Sequence, residues 1–178
     1  MISRLISMFP DGQHKDTGML VGGMAALLGG NRLLGLSLFA RGVWRTEKRW
    51  RAAHPNFEGD FKARWQMALE HYDRTHQDPL NRSLHLVGIP MIAGGAIGLI
   101  LSAPPRPLWL LSATSFSFGW LLNIVGHAAF EKGAPAFADD PLSFVAGPVW
   151  DLRQLGVMRR AKRATRSVRV PLAPTAQA

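Results

Sequence analysis

Two runs, residues 84–103 and 107–126, contain no Asp, Glu, Lys or Arg, and Pro104, Pro105 and Pro107 punctuate the gap between them. At 1.5 Å per residue, about 20 helical residues cross the roughly 30 Å hydrocarbon core of a bilayer. Within that core every main-chain N–H and C=O must be satisfied inside its own segment, which selects helix. A short proline turn between two such helices makes them antiparallel. The fold expected is all-α: an integral membrane helical hairpin with flanking amphipathic or interfacial helices. The chain has 18 Gly, many inside the apolar runs, where small residues let helices approach closely.

The flanks are basic. The formal net charge is +9. Cations crowd the sequence before residue 83 and after residue 152, whereas the connector holds only Arg106. The positive-inside rule then puts both outer ends of the hairpin in the cytoplasm and the proline turn on the far side. No zinc-finger, RNP-type or helix-turn-helix signature accompanies the charge, so no nucleic acid partner is expected. Anionic lipid is the natural partner of such flanks. Cysteine is absent, which excludes disulfides, thiolate nucleophiles, Cys-ligated zinc and iron–sulfur clusters. The N-terminus, MISRLISMFPDGQHKD, has too short an apolar core for a secretory signal.

Three regions are expected: residues 1–56, an apolar or interfacial segment with a basic, Trp-bearing linker; 57–158, the principal domain; and 159–178, a basic flexible tail. Residues 1–17 are expected to be loosely ordered. Residues 18–40 are apolar but interrupted at Gly29-Gly30-Asn31-Arg32. They read as two short helices lying in the interface or re-entering it, with a third span as the alternative. Trp44 and Trp50 amid arginines suit the headgroup region. Phe57, Phe61, Trp65, Ala68 and Tyr72 form one face of an amphipathic helix over 57–74, with Asn56 as its cap. Asp78-Pro79 reads as a helix start, Pro90 as a kink, and Gly133 and Pro135 as a stop. Pro141 and Pro148 argue against one long helix over 137–158. Asp139-Asp140 reads as a surface turn, and Ser115 and Ser117 as bonded to neighbouring main chain.

The chemistry-bearing residues are histidines. His85 lies 19 residues before Pro104, and His127 lies 21 after Arg106. Those offsets place them about 28 Å and 31 Å from the turn, at one level near the cytoplasmic face. His76 enters the first helix at the same end. Glu131 follows His127 by four residues and shares its helical face, as His85 does with Asn81. Three imidazoles and a carboxylate therefore have the means to converge. That donor set suits non-haem iron, zinc or manganese, and a 2-His-1-carboxylate or three-His site favours Fe(II) and dioxygen. His71 and His54 read as non-ligands. The bland alternative is a structural polar network joining helix ends. GxSxG, P-loop, GxGxxG and HExxH signatures are all missing.

Two stretches carry a resemblance: Tyr72-x3-His76-x2-Pro79-x-Asn81-x3-His85-x2-Gly88-x-Pro90, and Gly126-His127-x2-Phe130-Glu131-Lys132-x2-Pro135-Ala136. Over residues 57–158 they resemble the fungal 2-hydroxy-fatty-acid dioxygenase-like family, formerly an uncharacterised membrane domain. Pro141-Leu142-Ser143 and Asp151 are similar to its bacterial branch, which implies a bacterial inner membrane. The resemblance implies an Fe(II)-dependent enzyme that takes dioxygen and shortens a 2-hydroxy fatty acid by one carbon. It carries His76, His85 and His127 over as metal ligands, with Glu131, Asn81 and Tyr72 at or beside the reacting centre. On that reading Arg74 or Arg82 pairs with the substrate carboxylate, and the acyl chain lies near Pro90 and Phe118. The chain departs from the fungal pattern in its N-terminal apolar segment and in having one hairpin where fungal members carry more spans. Two other readings stand beside it: a non-catalytic lipid-binding or scaffold protein, and a zinc-dependent membrane hydrolase.

Overall fold

The computed structural model describes residues 13–133 and 135–168, with side chains for 15–133 and 135–156. Among these residues every regular element is helical: α1 (Gln13–Leu28), α2 (Arg32–Ala53), α3 (Phe61–Arg74), α4 (Pro79–Leu101), α5 (Pro107–Gly126), a π turn (His127–Glu131), a 3-10 turn (Ala136–Ala138) and α6 (Ser143–Val168).

The apolar runs form the expected hairpin. Asp78 caps α4, its carboxylate accepting from the N–H of Leu80 at 2.7 Å and of Asn81 at 3.2 Å, with Pro79 in the first turn. α4 continues through Pro90 to Leu101, and α5 begins at Pro107 after a turn holding a cis Pro104–Pro105 bond. Glycine brings the two helices together: a Cβ added to Gly119 would fall 2.6 Å from the Gly88 carbonyl oxygen, a distance only bare backbone tolerates. Ser115 Oγ donates to the Met91 carbonyl at 3.0 Å, as expected of a mid-span hydroxyl. α4 and the α5–π segment are both long and apolar enough to cross a membrane, yet only 28% and 22% of their apolar windows are buried. The core helix of a soluble protein would be mostly covered. Here Leu101, Leu108, Leu111, Phe118 and Leu121 are all exposed, an apolar face suited to lipid.

The N-terminal segment forms two helices, as expected, but longer ones than the sequence suggested. It does break where Gly29-Gly30-Asn31 suggested, but α1 and α2 form a second hairpin that lies along the first. Gly30 sits at φ 83° in its tip, and a Cβ there would meet Pro104 of the proline turn at 2.5 Å. At that same end Arg32 donates to the Ile100 carbonyl at 3.0 Å, so the guanidinium caps the last turn of α4 and escapes the apolar interior. At the opposite end Asp16 bonds Arg45 at 2.5 Å and Arg49 at 2.7 Å. Both hairpins therefore run in register, turns together. The basic stretch read as a linker is helical up to Ala53; Arg, Glu, Lys and Ala all favour helix, and the helix ends just before His54-Pro55, as proline demands of its predecessor.

α3 and α6 cover the end of the bundle away from the turns. α3 starts later than expected: Asp60, not Asn56, caps it, accepting from the Ala63 N–H at 2.9 Å. Phe57 packs edge-on against Trp50, and Phe61 is left exposed. Ala68, Leu69 and Tyr72 pack against Ala136, Ala146 and Trp150. Of the acidic pair read as a surface turn, Asp139 is an exposed turn residue but Asp140 is not at the surface. It is 2% exposed and holds Arg64 through both carboxylate oxygens, at 2.7 and 2.8 Å. Arg64 also bonds Glu47 at 2.8 Å and lies over the Trp50 ring. The break expected at Pro148 is absent. α6 passes through it within its second turn, where the ring removes only one helical hydrogen bond. The helix extends to Val168, into the segment expected to be a flexible tail; residues 169–178 lie outside the described residues. Of the loosely ordered start, residues 1–12 likewise lie outside them, while Gln13–Thr17 begin α1.

Candidate metal centre

Three elements deliver three imidazoles to one point beneath this platform. His76 follows the end of α3, His85 sits two turns into α4, and His127 opens the π turn after α5. Their ring centroids are 4.6 Å (His76–His85), 4.8 Å (His76–His127) and 4.9 Å (His85–His127) apart, with ring planes crossed by 80°, 78° and 84°. All three are at most 4% exposed. The equal depths expected from counting residues away from the turn are realised.

Main-chain carbonyls fix the tautomers. His76 Nδ1 donates to the Tyr72 carbonyl at 2.7 Å, and His85 Nδ1 to the Asn81 carbonyl at 3.0 Å. A carbonyl only accepts, so each Nδ1 carries the proton and each Nε2 keeps its lone pair. Burial, then the neighbouring His85 and His127, holds the His76 imidazole well below the usual histidine range, hence neutral. His76 Nε2 and His127 Nδ1 are buried with no hydrogen-bond partner. One ligand atom from each ring lies within 4.8 Å of the others. Neutral, oriented imidazoles with orphaned lone pairs fit a metal ion.

The residues around the triad hold it in place. Tyr72 stacks on His76 with centroids 3.8 Å apart. Arg82 Nε donates to the His76 carbonyl at 2.5 Å, and its guanidinium lies over Trp150. Glu131, expected beside the ions' ligands, directs Oε1 to the Asn81 amide at 3.0 Å and to the Asp78 N–H at 2.9 Å. Asn81 packs so closely on Gly126 that any side chain there would collide with its Oδ1. The π turn is the local device: widening the helix by one residue re-aims a side chain at its start, and the left-handed Lys132, φ 54°, ends it.

The triad opens into a cavity of about 250 Å³. Tyr72, Asn123 and Ser143 add polar atoms to its wall; Phe39, Ile89, Ile92, Trp120, Phe137 and Phe144 make the rest greasy. Asn123 Oδ1, Ser143 Oγ and the Tyr72 hydroxyl are buried without partners. Arg74 and Arg82 do not line this cavity. Arg74 lines a separate depression with His71, Asp139 and Asp140, and Arg82 is engaged as described. Pro90 and Phe118 face outward, so neither flanks the cavity as expected.

Sequence reasoning passed over several of these groups. Phe39 reaches the cavity from the segment read as interfacial, and Phe137 and Phe144 from the proline-interrupted stretch 137–158. Asn123 shares the helical face of His127, four residues earlier, and that spacing was available as a signal. Asp151, 5% exposed, has neither carboxylate oxygen bonded, and burial raises it to about 7. Burial and the nearby Asp151 charge together raise the Tyr72 hydroxyl.

A family model described as 2-hydroxy-palmitic acid dioxygenase Mpo1-like matches residues 62–157, more than half of the chain. The chain belongs to the Mpo1-like family. The match contains all three histidines and both of the resembling stretches. It leaves out α1 and α2, the second hairpin. Neither a curated protein nor a solved structure matches.

Proposed function

We propose that this protein is an Fe(II)-dependent membrane dioxygenase that shortens 2-hydroxy fatty acids by one carbon. One observation carries the reading: a largely apolar cavity ends on three buried imidazoles, all within the family match, and two of them have an unsatisfied buried nitrogen. The reaction balances as RCH(OH)COOH with O2 giving RCOOH, CO2 and H2O. A bound Fe(II) supplies the one-electron chemistry that activates dioxygen. His76, His85 and His127 hold the ion. Glu131 and Asn81 act as positioning residues, because they tie the π turn to the first turn of α4. Ser143 Oγ and Asn123 receive the carboxylate and hydroxyl of the substrate, a role expected of Arg74 or Arg82 from the sequence. Tyr72 shields one face of His76. Orientation follows the charge: the triad lies under the cytoplasmic headgroups of a bacterial inner membrane, where a polar head and a lipid tail enter together.

The test is anaerobic purification, quantification of bound metal, and oxygen uptake with 2-hydroxyhexadecanoic acid, followed by mass spectrometry of the product. Pentadecanoic acid formed in equal amount to oxygen consumed supports the reading. Stoichiometric zinc without oxygen uptake would point to the hydrolase. Protein that stays metal-free after reconstitution would leave a scaffold.

A further inference from the structure

A second apolar cavity, of about 170 Å³, lies between the two hairpins. Met24, Leu27 and Leu36 wall it on the N-terminal side, and Ala96, Ile100 and Phe116 on the other. No charged or hydrogen-bonding side chain faces it apart from the edge of Trp120. It shares Phe39, Ile92, Trp120 and Phe144 with the cavity that ends on the histidines, so the two are neighbouring chambers with only these side chains between them. Joined, they enter the range of about 300–1,000 Å³ usual for small-molecule sites. A chamber lined this way excludes water, and its walls lack packing partners until something apolar fills it.

The path is long. From His85 to Ile100 along α4 is about 22 Å at 1.5 Å per residue. Half the hydrocarbon core, the depth one lipid chain fills, is about 15 Å. We propose that the gap between the α1–α2 hairpin and the spanning hairpin is an acyl-chain channel continuous with the histidine cavity, and that this hairpin sets the longest chain accepted. That the occupant is a 2-hydroxy acyl chain rests on the function proposed above; the channel itself rests on the two adjacent chambers and the side chains they share. α1 and α2 lie outside the family match, so chain-length selection would come from a part of the chain other than the one that holds the histidines.

The experiment is equilibrium binding, in nanodiscs, of 2-hydroxyoctanoic, 2-hydroxydodecanoic and 2-hydroxyhexadecanoic acids to the full chain and to Ala96→Phe, which fills the inner chamber. Binding of the longest acid should weaken about tenfold or more, the equivalent of two or so methylenes left unburied, while the shortest binds unchanged. On wild-type protein, a hexadecanoic acid bearing a terminal diazirine should label Met24 or Leu27, and an octanoic analogue should not. Length-independent binding losses, or labelling confined to the histidine end, would overturn the channel. Neither readout requires turnover. Length-graded binding without oxygen uptake therefore removes only the chemistry, and oxygen uptake with no length dependence removes only the channel.

Discussion

Asn81 and Glu131, fifty residues apart, meet in a 3.0 Å hydrogen bond that fastens the first turn of α4 to the π turn after α5. The same Glu131 oxygen accepts from the Asp78 N–H, so one carboxylate gathers the entry of α4 beside His127. Groups that hold ligands in place typically change metal affinity 10–100-fold when removed. Glu131→Ala should weaken metal binding by about that factor while membrane insertion persists. Glu131→Gln, which keeps an acceptor oxygen, should lose much less. Competition titration against a chelator measures both.

Removing a ligand is a different matter. His127→Ala leaves two imidazoles, and metal occupancy should collapse. His71→Ala is the control: His71 lies against the separate depression with Arg74, outside the triad, and occupancy should stay at the wild-type level. Elemental analysis of both purified variants decides it. Full occupancy in His127→Ala would remove this residue from the centre.

What the sequence made legible was whatever depends on local chemistry or on counting along a helix. Two charge-free runs and a proline turn fix the hairpin, Asp78-Pro79 fixes where α4 starts, and equal offsets from the turn bring His85 and His127 level. What stayed hidden depends on partners distant in sequence. Asp140 looks like a surface acid until Arg64, 76 residues earlier, is packed against it. The basic stretch after residue 40 looks like a headgroup linker because its charges hide its helix propensity. Arg32 looks costly within an apolar segment because nothing local reveals that the α1–α2 tip reaches the end of α4. Phe39 enters the cavity for the same reason. The π turn is likewise invisible to a count that assumes 3.6 residues per turn throughout.

The Arg64–Asp140 pair gives a stability prediction. Both side chains are nearly inaccessible, 3% and 2% exposed, and Glu47 is the second acid on Arg64. Breaking a buried pair from one side typically costs about 3–5 kcal/mol. Asp140→Ala should destabilise the platform by about that amount, read by thermal or denaturant unfolding in micelles. An Arg64→Met, Asp140→Leu double variant should recover much of the loss, because no charge is then stranded. An unaltered midpoint in Asp140→Ala would show that Glu47 or water compensates Arg64 without it.

Asp151 makes stability depend on pH in an unusual direction. Burial raises its carboxyl from the ordinary 3.8 to about 7. Between those values the folded chain keeps a proton that the unfolded chain has released. Its contribution to stability is thus greatest at low pH, falls as pH rises through this window, and levels off above about 7. Asp151→Asn, neutral at every pH, should remove that slope. The measurement is the difference in unfolding midpoint between wild type and variant across the window. A difference that does not vary with pH would mean that Asp151 ionises normally.

Membrane topology can be tested on a clean background, because the chain has no cysteine. Arg106 is the sole cation of the turn joining α4 and α5, while Glu58 is exposed in the loop before α3, at the histidine end of the bundle. If charge sets orientation as the positive-inside rule requires, Arg106→Cys should react with an impermeant maleimide added outside intact cells. Glu58→Cys should react only after the membrane is opened. The register of the two hairpins adds a second condition. Gly30 lies against Pro104, so Asn31→Cys at the α1–α2 tip should label from the same side as Arg106→Cys. Labelling of Asn31→Cys together with Glu58→Cys would separate the hairpins in the membrane, and with them the shared wall on which the acyl channel depends.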